Sequence, residues 1–228
     1  LKEKEMNEDL GAPVPGQALA VPVEPASGLA PPGFDPSRLV LEHFSKRPLV
    51  RVRSTKQWLI GDKDWNWRGK PKGLWVSVKG EMDWREWCEA ESFGLDRLKW
   101  RSVITLSSVA NILHIRSVGE LDAFDELYGR DERIGTSDYS KRIIDWEHVA
   151  KEYDGILIAP YQWERRFDGR VSDWYYGWDC ASGVIWNARA IASCDTHPEG
   201  GDANAAPFMS GAVPEGQAPN LQPDNPHD

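Results

Sequence analysis

All 12 tryptophans and all six tyrosines of this 228-residue chain fall between Trp58 and Trp186. The prolines do the opposite. Of 16, seven lie in residues 1–44 and six after Asp195, which leaves three between. A segment rich in Pro, Gly and Ala without large side chains cannot bury enough apolar surface to offset the entropy of ordering it. The chain is therefore expected to fold as one aromatic-rich domain over residues 45–194, between an acidic Pro/Ala-rich tail (1–44) and a disordered acidic Pro/Gly tail (195–228).

Charge follows the same division. Residues 1–44 carry three Lys/Arg against seven Asp/Glu, and residues 195–228 carry none against six. The middle, with 24 basic and 23 acidic residues, is close to neutral. A globally basic nucleic-acid face is thus not expected. Cys88, Cys180 and Cys194 form no CxxC pair, and the five histidines show no ligand spacing, so neither a disulfide framework nor a metal site is expected. That cysteine usage suits a reducing, cytoplasmic compartment. No apolar run reaches the roughly 18 residues of a membrane span, and the first residues lack the pattern of a signal peptide. The chain opens on Leu1 without Met and reads as part of a longer protein, for instance a viral or secretion-associated polyprotein.

Within the middle, PLVRVRST (48–55) alternates like a strand, residues 61–73 read as loop, and GLWVSV (73–78) reads as a second strand. DWREWCEAESFG carries a helix signature: Asp83 as cap, Glu86 three residues on, Gly94 as terminator. Residues 102–118 hold one or two strands with a break near Ser107–Asn111. GELDAFDELYG and IIDWEHVAKEY read as amphipathic helices, the second capped by Asp145. YDGILIAPY reads as a buried strand ended by Pro160. WERRFDGRVSD reads as a polar loop, and WYYGWDCASGVIWN as a strand, a turn and a last strand GVIW. The sum is a single compact α+β domain with mainly antiparallel, split β-sheets and peripheral helices. Neither a Rossmann unit nor a P-loop is suggested.

Four of these pieces, in order, resemble the catalytic domain of the ADP-ribosyltransferase superfamily, in its poly-ADP-ribose-polymerase-like and toxin-like branches. They are Arg53-Ser54-Thr55 on the opening strand, Gly73-Leu-Trp75 with the following helix, Tyr-Asp-Gly-Ile, and the closing run that begins at Ser182. The resemblance covers about residues 48–191 and implies an enzyme that uses NAD as substrate. It places Trp75 where the family stacks an aromatic ring on nicotinamide, and it gives Arg53, Ser54, Thr55, Gly73 and Ser182 contacts to the dinucleotide. Ser77, on the strand face of Trp75, matches the Ser of the family's Arg-Ser-Glu class. Ser182 stands where the family has its catalytic Glu.

The chemistry implied is cleavage of the nicotinamide–ribose bond through an oxocarbenium-like state. That state needs a nearby carboxylate, a flat ring for nicotinamide, and a cationic group for the dinucleotide. Asp179, among aromatics beside the last strand, and Glu164, in a Gln-x-Glu spacing, are the carboxylates available for the role of the missing Glu. The acceptor would be a protein or a nucleic acid. Plainer readings stand beside each assignment: Arg53 as a surface arginine, Trp75 as a core tryptophan, Glu164 paired with Arg165 or Arg166, Asp179 as a turn carboxylate. His114 reads as a core histidine, and Cys88 and Cys180 lack neighbours that would activate a thiol. A different function class also fits, a non-catalytic binding or structural module of the same fold within a larger protein.

Overall fold

The computed structural model describes residues 39–57, 69–133, 140–167, 169 and 171–199. Seven strands form one sheet: β1 (Leu41–Ser45), β2 (Leu74–Val78), β3 (Trp100–Leu106), β4 (Ile112–Ile115), β7 (Gly155–Ile158), β8 (Ser182–Ile185) and β9 (Ile191–Pro198). Their order is β4-β7-β8-β2-β1-β3-β9. β4 and β7 pair in parallel, and every other neighbouring pair is antiparallel. β5 (Gly129–Arg133) and β6 (Ser140–Ile144) form a separate two-stranded ribbon. The molecule is an α+β domain. Among the described residues no helix is long and apolar enough to cross a membrane.

The helices arise where the sequence signals them. α1 (Trp84–Ala90) opens on Asp83, whose carboxylate accepts from the backbone of Arg85 and Glu86. α2 (Val118–Tyr128) is capped by Ser117, and α3 (Trp146–Glu152) by Asp145, which accepts from His148 N at 3.0 Å. Leu121, Phe124 and Tyr128 on α2 and Trp146 and Val149 on α3 are buried, as helical spacing requires.

The aromatics make the core on this side. Phe124 and Trp146 lie 5.9 Å apart between centroids, and Trp146 and Trp174 lie 6.1 Å apart. Three buried indole N–H groups find acceptors: Trp146 on Gly69 O (2.7 Å), Trp174 on Asp125 Oδ1 (2.8 Å), Trp186 on Tyr153 O (2.6 Å). Arg142 is buried too. Its Nε donates to both Asp125 oxygens, at 3.2 and 3.0 Å, and its Nη2 to the Asp125 carbonyl at 2.7 Å.

Several expectations are corrected. The opening strand is LEHFS, not PLVRVRST, and residues 51–57 carry no regular structure. Leu41 and Phe44 are buried, so this segment fills the central place between β2 and β3. The strands also overrun the 45–194 boundary, starting at Leu41 and ending at Pro198. WERRFDGRVSD is not all loop, because Trp163–Arg166 form a short helix, α4. WYYGWD is not a strand. Ser172–Tyr175 make another short helix, α5, and Tyr176–Trp178 a 3₁₀ turn, which lets Trp174, Tyr175 and Trp178 all face the core. β9 and the β5–β6 ribbon were not anticipated. Part of the 61–73 loop, residues 61–68, lies outside the described residues.

Candidate functional site

The site is built on the three adjacent strands β8, β2 and β1. Gly73, just before β2, has φ +150, and a Cβ there would fall 2.6 Å from Ile185 O and 2.7 Å from Val184 Cγ1. Only glycine lets β2 enter so close to β8. From there Trp75 pairs with Val184, Ser77 with Ser182, and Ser77 on its other side with Glu42. Directly paired residues share a face, as do alternate residues along a strand, so Trp75, Ser77, Ser182, Glu42 and Phe44 look the same way. Trp84 from α1, Arg97 from the turn after it, Lys70, Trp178 and Cys180 close over them around a cavity of about 300 Å³. Trp75 and Trp178 meet at 5.1 Å between centroids, tilted by 60°.

The polar groups are firmly held. His43 lines the cavity and its Nδ1 donates to the Trp75 carbonyl at 2.8 Å. Burial keeps its pKa below the ordinary 6.5, against the opposing effect of that bond. The neutral ring therefore leaves Nε2 as an acceptor. Glu42 is 4% exposed and is met by Arg101 Nη1 at 2.9 Å and Lys79 Nζ at 3.6 Å. Arg101 Nε also pairs with Glu199 at 2.8 Å, and Glu199 with Arg85, whose guanidinium stands 5.0 Å from the Phe44 ring centroid. The Ser77 hydroxyl donates to Glu42 O at 3.3 Å, and that of Ser182 to Cys180 O at 3.0 Å.

Cation and carboxylate meet at one wall. Lys70 Nζ lies 5.1 Å from the Trp75 ring centroid. Burial lowers its pKa, and the charge of Asp179 acts the other way. Asp179 has φ +62, an uncommon conformation for a non-glycine residue. Burial raises its carboxyl pKa, with Lys70 and Arg166 opposing, and Arg166 Nη2 sits 3.5 Å from its Oδ1. Arg166 in turn lies over Trp163, Phe167 and Tyr176, at 5.6, 5.3 and 5.6 Å. The buried thiols are inert: burial pushes Cys88 up to about 11 and Cys180 up to about 12. His114 is buried in β4 with Nε2 bonded to Ala159 O at 2.9 Å, as a core histidine would be. Among the described residues no three His, Cys, Asp or Glu side chains gather to hold a metal ion.

The residues singled out from sequence fall into three groups. Trp75, Ser77 and Ser182 line the cavity, with Gly73 at the foot of their strand. Asp179 flanks it, between the lining residues Trp178 and Cys180. The others lie elsewhere. Glu164 is an exposed residue of α4, a helix tied down by Arg165 to Asp122 at 2.7 Å, and is not among the lining residues. Arg53, Ser54 and Thr55 run beside the end of β8. There Thr55 N donates to Trp186 O at 2.8 Å, and Ser54 Oγ accepts from Ala188 N at 3.0 Å. Ser54 and Thr55 belong to a second, wider groove of about 840 Å³ with Lys56, Glu147, Lys151 and Trp186.

Sequence reading missed Glu42, His43, Lys70 and Arg97. The signal for the first two was present: LVLEHF is a compact apolar run with β-branched content, placed in the tail because prolines crowd the residues before it. Lys70 and Arg97 sit in segments without periodicity. Compared with known proteins, the chain matches no family model, no curated protein and no solved structure.

Proposed function

We propose that this domain binds NAD with its nicotinamide ring against Trp75 and cleaves that ring from the ribose, passing ADP-ribose to a protein or nucleic-acid acceptor or to water. One observation carries the reading: Trp75 on β2, held through its carbonyl by His43 of β1 and paired with Val184 of β8, stands in an aromatic-walled cavity. β2 and β8 carry two of the pieces on which the family resemblance rests, whereas β1 takes the place in the sheet that the resemblance gave to the segment of Arg53. At about 300 Å³ the cavity is at the small end of ligand pockets, which suits the nicotinamide–ribose end and not the whole dinucleotide.

In this reading the C1′–N bond breaks and its electron pair leaves with nicotinamide, which departs neutral. The nucleophile's lone pair forms the new bond to C1′, and its proton passes to a carboxylate. Glu42 is the carboxylate that lines the cavity, where charge on the ribose is felt in low dielectric. Asp179 stands at the flank.

A non-catalytic NAD-binding module is the second reading. It is favoured by Ser182 at the head of β8, whose hydroxyl is spent on Cys180 O, and by the two cations that hold Glu42.

Calorimetric titration of the chain with NAD, followed by nicotinamide release on the same sample, tests both. The expected result is binding that weakens at least tenfold in Trp75→Ala, since a lost stacking partner is worth about 0.5–1.5 kcal/mol beyond its area. Release abolished in Glu42→Gln with binding kept supports the enzyme, and release abolished only in Asp179→Asn moves the role to that residue. Binding without release supports the module. No binding at millimolar NAD removes both readings.

A further inference from the structure

Lys70 occupies the place a ligand ring would need. Its ammonium stands over Trp75 at 5.1 Å from the ring centroid, inside the cavity. Its position is built. A Cβ on Gly177 would fall 2.8 Å from Lys70 Cε and 3.3 Å from Nζ, so the backbone of the 3₁₀ turn at Tyr176–Trp178 packs directly on the end of this side chain. Asp179, whose charge favours the ammonium, is shared with Arg166 at 3.5 Å.

A flat ring laid on that face of Trp75 displaces the ammonium, which forfeits its cation–π contact. The loss is made good only by an anion on the ligand itself, because Asp179 is already engaged. On the reading that the ligand is NAD, we infer that Lys70 sets the cavity's specificity: it gives up Trp75 to a nicotinamide ring when the same molecule brings a phosphate to its ammonium. The ligand class is a ribosylated ring with a 5′-phosphate, and the bare ring or the nucleoside is rejected. A charge-assisted contact of this kind is strong enough to discriminate.

The test compares nicotinamide mononucleotide with nicotinamide riboside, which differ by that phosphate alone, by calorimetry on the full chain. The wild type is expected to bind the mononucleotide at least tenfold more tightly. Lys70→Met, or Lys70→Gln as a second neutral variant, brings the ratio close to one chiefly by improving binding of the riboside, and Lys70→Arg restores the preference. Equal binding in the wild type, or a preference unchanged in both neutral variants, overturns the inference while leaving the NAD reading standing. Inorganic pyrophosphate is titrated in parallel. If no nicotinamide compound binds, the NAD reading fails. Pyrophosphate binding that Lys70→Met abolishes then still upholds Lys70 as the anion anchor, and its absence overturns both.

Discussion

Gly73 shows how a single missing side chain sets the geometry of the site. With φ at +150 and carbonyl Ile185 O 2.6 Å from where a Cβ would stand, alanine at this position meets backbone strain and a collision at once. Gly73→Ala is expected to destabilise the domain by about 2–3 kcal/mol, read as a lower urea midpoint with the slope unchanged. The strain falls on the β2–β8 pairing, so on the proposed reading NAD binding at Trp75 should weaken with it. At this scale the sequence was informative where chemistry and position coincide. GLWVS announced a glycine-led strand that carries a tryptophan, and Trp75 is half-buried on the cavity wall. It was uninformative for Lys70, because nothing in GKPKG reports that the lysine four residues before β2 folds back over the ring.

Among the elements, α1 has the most direct bearing on the cavity. Asp83 caps it with bonds of 3.0 and 3.1 Å to Arg85 N and Glu86 N, and its first residue, Trp84, is part of the cavity lining. Trp84 also stacks on Trp87 at 5.0 Å and 18°. Asp83→Ala should cost about 1 kcal/mol of stability, measurable by urea unfolding, and Asp83→Ser should recover most of it. The capped helices α1, α2 and α3 were legible because capping and 3.6-residue periodicity are local properties. PLVRVRST was misread because alternation says that a segment can be a strand, while the place in the sheet goes to whichever segment buries more. LEHFS, with Leu41 and Phe44 buried and Glu42 paired to Arg101, takes it. WYYGWD failed for the converse reason, since a dense aromatic run satisfies helix, strand and turn equally until its packing partners, here Trp146 and Tyr161, are fixed.

The whole molecule carries a pH signature through half-buried His43 and buried His114. Burial lowers the pKa of both His43 and His114 from 6.5. Above that value both are neutral whether the chain is folded or unfolded. As pH falls below it, the unfolded chain takes up protons that the folded domain resists, so stability declines with acidification. Urea midpoints should be flat from pH 8 to 7 and should fall between about pH 6.5 and 5, and His43→Gln should flatten part of that decline. Asp179 acts with the opposite sign at lower pH, since its raised carboxyl pKa favours the folded state on protonation. The fold class followed from aromatics and caps, whereas the strand order that assembles the cavity did not, because it depends on pairings between residues as distant as Ser77 and Ser182. The last described residue, Glu199, is gripped by Arg85 and Arg101, and these same side chains steady Phe44 and Glu42 on the cavity wall. That grip makes residue 199 an anchorage point: a reporter dye joined directly beyond it would move with the wall that a ligand touches, and would register occupancy without any label inside the cavity.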